Sequence, residues 1–234
     1  MVSRMSYPGC QPKDLENILD LGLKRLLSRR EVISVDGKTA CGSRDRNNNR
    51  NPFHTVSAWA NNNRFVLVQE AVDDNSNEIT AIPKLLALLE LKGCIITIDA
   101  MSCQREIISQ ILEQGSDYVW SWKGNQTGLH TVVKAFVEYD FQEKIDNGHG
   151  HLEIRHYWIT EHLESWPSVE KWKGLITSIG MVERICWVAG NETSERRYFI
   201  TSMATNAKRF AKAVREHWSI ENRLSALAFG CSIS

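Results

Sequence analysis

Hydrophobic and polar positions separate over AKRFAKAVREHWSIENRL, residues Ala207–Leu224. At about 100° per residue, Ile220, Ala213, Leu224, His217, Phe210, Glu221, Val214, Ala207, Trp218 and Ala211 fall on one arc. Asn222, Arg215, Lys208, Ser219, Lys212, Arg223, Glu216 and Arg209 fall on the other. The spacing predicts an amphipathic helix with a wide apolar stripe. Glu221 lies inside that stripe with Phe210, Val214 and Trp218. A carboxylate there loses its hydration, which is costly unless a cation or strong donors meet it.

Upstream, the pattern changes period several times. Lys13–Ser28 reads as a weak helix, and Val32–Val35 as a short strand stopping at an Asp36-Gly37 turn. Arg44–Pro52 is a polar, Asn-rich loop. HTVSAWA and RFVLVQEAV, separated by Asn61-Asn62-Asn63, predict an antiparallel hairpin. A helix follows from about Asn75 to Leu91, with Pro83 near its first turn. Cys94–Ile98 is almost wholly apolar, as a strand buried on both faces would be, and it ends in Asp99. SCQREIISQILEQG reads as a helix closed by Gly115, DYVWSW as a strand, and Leu129–Tyr139 as another helix. Residues from about 140 to 203 carry β-rich runs (EIRHYWITE, RICWVAG, RRYFITSM) and read as an insertion before the final helix. The series predicts a mixed α/β sheet that begins with an antiparallel meander and is flanked by helices.

Composition narrows the class. The chain has 234 residues, 42% hydrophobic and 24% charged, which suits a globular domain able to bury a core. No apolar run reaches the length of a membrane span, and the N-terminus has no secretory h-region, so the expectation is a cytoplasmic protein without membrane partners. Six cysteines without a CxxC pair predict reduced, buried thiols. The 28 basic and 28 acidic residues balance, which counts against nucleic-acid binding unless charge is segregated by face.

Chemistry concentrates on three acids. Asp36 and Asp99 each end a buried-type strand, where ligands of α/β sheets gather, and Glu221 lies on a helix that must pack on the sheet. Three converging carboxylates repel one another unless a divalent cation neutralises them. Two such ions can activate an attacking oxygen and stabilise a leaving one on a phosphodiester. Each acid also has a structural reading: Asp36 as a turn former, Asp99 as a helix cap, and Glu221 as the partner of Arg105, Arg155 or Arg197. His149, His151 and His156 form a weak metal pattern, the tryptophans suit packing better than base stacking, and the basic stripe Lys208, Lys212, Arg215 and Arg223 suits solvation.

Several phrases in order, VDGKT, SNEITAIPKLLALLELKGCIITIDAMSCQ, KGNQ, GHGHLEIRHYW, SERRYFITS and REHWSIENRL, resemble the H-repeat-associated insertion-sequence transposases of the DDE class. The resemblance runs from about Val32 to Leu224 and implies a ribonuclease H-like core. It implies that Asp36, Asp99 and Glu221 are the catalytic, metal-holding acids for Mg²⁺ or Mn²⁺. The implied reaction is DNA cleavage at element ends and transfer of the freed 3′-hydroxyl to target DNA. Lys38, Lys123, Asn125, Arg155 and Arg197 become candidate phosphate contacts. The implied partners are element-end and target DNA, with a homodimer as a candidate assembly and nucleoid association when bound. Residues 1–30 read as an N-terminal remnant, 31–224 as the core and 225–234 as a tail unlike the family. A truncated, inactive remnant that still binds DNA is therefore the alternative.

Overall fold

A computed structural model describes residues 31–39, 54–72, 78–99, 104–122, 139–148, 151–163, 172–188 and 190–229. The strands are β1 (Val32–Thr39), β2 (His54–Ala60), β3 (Phe65–Val72), β4 (Ile95–Ile98), β5 (Asp117–Trp122), β6 (Asp140–Gly148), β7 (His151–Thr160), β8 (Ser178–Val188) and β9 (Asn191–Thr201). The helices are α1 (Glu78–Ala87), α2 (Arg105–Glu113) and α3 (Ala207–Phe229). All nine strands form one sheet in the order β3-β2-β1-β4-β5-β9-β8-β7-β6.

The first half is the ribonuclease H-like arrangement. β1, β2 and β3 form an antiparallel meander, and β4 and then β5 add parallel to β1 through the α1 and α2 crossovers. The Asn61–Arg64 turn closes the predicted hairpin, with Arg64 in the left-handed region at φ 59°. All four residues of β4 are buried, as its apolar run requires.

The two faces of the sheet carry separate cores. One packs Ile33, Val35, Ile96, Ile98, Tyr118 and Trp120 against Ile82, Leu85 and Leu86 of α1 and Ile107, Ile108 and Ile111 of α2. The other packs Val32, Ile95, Val119, Tyr157, Val182 and Phe199 against Ala207, Phe210, Ala213 and Val214 of α3. The apolar arc predicted for α3 is the buried one through His217, while Lys208 and Lys212 are exposed. Cys94 and Cys186 are buried thiols. Burial, with Glu31 nearby, pushes Cys94 up to about 11.

Several expectations are corrected. β1 does not stop at Asp36-Gly37: it continues to Thr39, with Asp36 opposite Ser57 and Gly37 opposite Val56, because β2 pairs with it along its full length. Among the described residues the second predicted helix spans Glu78–Ala87, so Pro83 lies inside it, and Leu88 and Leu89 close into a turn. α3 runs on past Leu224 to Phe229, so position 221 lies about two turns inside its end. The β-rich insertion expected before the last helix is present as β6–β9, and it joins the core sheet through β9, which pairs antiparallel with β5. β6, whose sequence DFQEKIDNG has no strand-like alternation, forms the outer edge, where polar side chains are tolerated. The predicted Lys13–Ser28 helix, the Arg44–Pro52 loop and residues 129–138 of the predicted Leu129–Tyr139 helix lie outside the described residues.

Candidate active site

β1 and β4 run side by side in parallel register, with Ser34 opposite Thr97 and Val35 opposite Ile98. The Thr97 hydroxyl donates to Ser34 Oγ at 2.9 Å, so these two side chains share a face of the sheet. Side chains on a strand repeat every second residue. Asp36, two residues past Ser34, and Asp99, two past Thr97, therefore lie on that same face at the carboxyl ends of neighbouring strands. Both are half-buried. The Asp99 backbone is held by the Trp120 indole, which donates to its carbonyl at 2.8 Å. Neither structural reading of the aspartates fits this geometry. Asp36 lies within a strand, and the N-cap of α2 is Gln104, with no side-chain capping bond.

α3 crosses this face. Arg209 pairs with Asp117 at the start of β5 at 2.9 Å, and two turns later His217 Nδ1 lies 3.0 Å from Thr97 Oγ1. Asp117 is level with Ile95 and Val119 with Thr97, so the helix advances toward the carboxyl ends of β4 and β5. From the His217–Thr97 contact, four more helical residues add about 6 Å and two strand residues add about 6.6 Å. Position 221 and Asp99 thus advance together along the same face. The Glu221 side chain lies outside the described residues. Burial, opposed by the charge of Asp99, pushes His217 down to about 4, so its ring is neutral near pH 7 and adds no positive charge to the site.

The five candidate phosphate contacts divide. Lys38 follows Asp36 by two residues in β1, and its side chain is outside the described residues, as are Lys123 and Asn125 entirely. Arg155 on β7 and Arg197 on β9 lie on the α3 face and bracket Trp218, with guanidinium carbons 5.8 and 5.3 Å from its ring centre. Arg155 also bonds Asp146 at 2.9 Å and pairs with Glu153, whereas Arg197 pairs with Glu195 at 2.8 Å. Of the three histidines weighed for metal, the one whose side chain is described, His156, lies between Glu143 (3.0 Å) and Glu183 (3.3 Å).

The sequence reading passed over Ser34, Thr97 and the role of His217, and it took Trp218 for packing. The signal was present: Ser34 and Thr97 are the polar interruptions in VISV and IITI, each two residues before an acid. His217 is the other polar member of the apolar arc that holds Glu221.

The donor chemistry suits a hard divalent cation. Asp36 and Asp99 offer only carboxylate oxygens from one face, and the imidazole beside them is engaged with Thr97.

A family model described as "Transposase DDE domain" matches residues 27–231. The chain is 38% identical over 212 residues to the "Putative transposase YncI" of Escherichia coli O157:H7, covering 83% of this chain and 53% of that protein. It is 36% identical over 210 residues to the "H repeat-associated putative transposase YhhI" of Escherichia coli (strain K12), covering 83% and 55%. It is 37% identical to the "Putative protein YbfL" of the same strain, over 210 residues and the same shares. The chain thus spans about half the length of the curated relatives it matches.

Proposed function

The chain belongs to the transposase DDE domain family, and from that footing we propose that it cleaves DNA and transfers the cut strand in the transposition of an insertion sequence. The observation that carries this reading is the register of β1 against β4. It brings two acids from distant parts of the sequence to one face, under a helix that bears the third.

In this reading Asp36, Asp99 and Glu221 hold Mg²⁺ or Mn²⁺. When bound, the metal polarises the scissile phosphate and stabilises charge on the attacking and leaving oxygens. The protein's own share is positional. The parallel strands fix Asp36 and Asp99, α3 delivers Glu221, and the neutral His217 leaves the negative charge of the acids undiluted. Backbone phosphates meet Lys38, Lys123, Asn125, Arg155 and Arg197. Arg197, with 45% of its side chain exposed against 18% for Arg155, is the better placed of the two arginines. The DNA complex is a homodimer located with the nucleoid, in an otherwise cytoplasmic protein. Among the described residues, no helix is long and apolar enough to cross a membrane.

The test is incubation of the purified chain with element-end DNA and Mn²⁺. Nicking or strand transfer that disappears in Asp99→Ala is the expected result. Salt-sensitive DNA binding without any cleavage would overturn the catalytic reading and favour a DNA-binding remnant.

A further inference from the structure

Each of the three acidic positions has a polar residue one structural repeat behind it. Ser34 precedes Asp36 by two residues in β1, Thr97 precedes Asp99 by two, and His217 precedes Glu221 by four in α3. Two residues is the repeat of a strand face and about four that of a helix face, so each polar residue occupies the face of the acidic position ahead of it.

The three polar residues are joined to one another. Thr97 Oγ1 donates to Ser34 Oγ at 2.9 Å, and His217 Nδ1 lies 3.0 Å from Thr97 Oγ1. Asn61 Nδ2, from the turn after β2, donates to Ser34 Oγ at 2.8 Å and to the Val32 carbonyl at 3.0 Å. All four are buried: Ser34 is 0% exposed, Thr97 2%, Asn61 7% and His217 8%. A threonine hydroxyl has one proton, and Thr97 gives it to Ser34. The Thr97 oxygen therefore accepts from His217, which fixes the proton of the neutral ring on Nδ1.

Apolar packing would not hold this register alone. Val214, Ala213 and Ala211 meet Val32, Ile95 and Val119 through non-directional contacts. A slip of one residue moves the helix about 1.5 Å and turns it about 100°. Such a slip strands buried donors and acceptors, a penalty that apolar contacts do not impose.

We infer that Ser34, Thr97 and His217 form a polar platform that sets the register of α3 on β1 and β4 and so holds the three acidic positions in one constellation. They are positioning residues that act through the acids. The role in metal binding rests on the proposed function, whereas the register role does not.

The experiment reads both, on the full chain. Nitroxides are attached through ketone-bearing residues at Glu113 and Ser225, which leaves the six cysteines untouched. Pulsed EPR then reports the distance distribution between α2 and the end of α3, and Mn²⁺ affinity is measured on the unlabelled chain. Thr97→Val and His217→Leu should shift or broaden the distribution and weaken Mn²⁺ about tenfold to a hundredfold, as loss of supporting hydrogen bonds does. His217→Asn, whose amide nitrogen takes the place of Nδ1, should restore both. Asp99→Asn should abolish Mn²⁺ binding with the distribution unchanged.

A distribution indifferent to Thr97→Val and His217→Leu, or not restored by His217→Asn, overturns the platform. Mn²⁺ bound equally by wild type and Asp99→Asn overturns the metal reading, while a responding distribution still supports the register role. If His217→Leu does not fold, the nearly isosteric Thr97→Val carries the comparison.

Discussion

The ring of Phe210 lies directly on Gly180: a β-carbon built at 180 would come within 2.3 Å of Phe210 Cζ. Gly180 is in β8, between Ile159 of β7 and Phe199 of β9, and its missing side chain opens the hollow that Phe210 fills. Phe210 meets Phe199 and Tyr157 edge-on, with centroids 5.5 and 6.3 Å away. The β6–β9 extension is therefore the seat of the first turns of α3. The same helix then carries His217 and position 221 over β4. The extension and the acid site are mechanically one unit.

Gly180→Ala should overpack this contact and destabilise the chain by about 1–3 kcal/mol. Urea unfolding measures it. Adding Phe210→Leu should recover part of the loss, because a smaller side chain clears the new methyl group. A loss that the double variant leaves untouched would place the strain elsewhere.

A second link ties α3 to the extension through charge. Arg215 bonds Asp146 at 3.0 Å, Asp146 bonds Arg155, Arg155 pairs with Glu153, and Arg184 bonds Glu153 at 2.8 Å. Glu153→Gln should cost about 2 kcal/mol, the scale of a hydrogen bond to a charged group, and urea unfolding at pH 7 reads it.

These carboxylates also set an acid limb. Burial alone would raise Asp146 and Glu153, but hydrogen bonds and charge from Arg215 on the first and Arg184 on the second hold them below the ordinary 3.8 and 4.5. With folded values below unfolded ones, their stabilisation is complete above about pH 4.5 and is lost as pH falls through the folded values. Glu153→Gln should flatten part of that fall in midpoints measured from pH 5 to 2.

His217 acts in a higher window. Its folded value of about 4 lies below the ordinary 6.5. Above pH 6.5 both states are neutral, and stability is undiminished. Between pH 6.5 and 4 the unfolded chain takes up a proton that the folded chain refuses, a loss of about 3 kcal/mol at about 1.4 kcal/mol per pH unit. His217→Asn should remove this limb and leave the lower one in place. Urea midpoints between pH 4 and 8 decide it.

Mn²⁺ should raise the melting temperature of the chain. A ligand at a hundred times its dissociation constant stabilises the folded state by about 2.7 kcal/mol. Asp36→Asn and Asp99→Asn should each abolish the shift. An equal shift in either variant would locate the ion away from the acids.

Much of the fold around the candidate site was legible along the chain. Val32–Val35 and Cys94–Ile98 advertise buried strands by their apolar runs, each followed by an acid, and the 3.6-residue period of Ala207–Trp218 correctly foretold its buried face. Glu221 stood out because a carboxylate interrupts that period. The Asp36-Gly37 pair misled, since turn-forming residues stay extended when a neighbouring strand pairs with them, as β2 does here. β6 was illegible because an edge strand needs no apolar alternation.

Local periodicity was enough to mark the three described helices and most of the described strands and to single out Asp36, Asp99 and Glu221 as candidates, because each depends on side chains a few residues apart. The partners were settled only when the chain closed on itself. Backbone hydrogen bonds are alike for any sequence, so nothing local says that β9 joins β5 or that β1 lies against β4. The bond from Thr97 to Ser34 spans 63 residues and that from His217 to Thr97 spans 120. Such contacts are selected by burial, which forces each enclosed polar group to find a partner wherever the folded chain brings one.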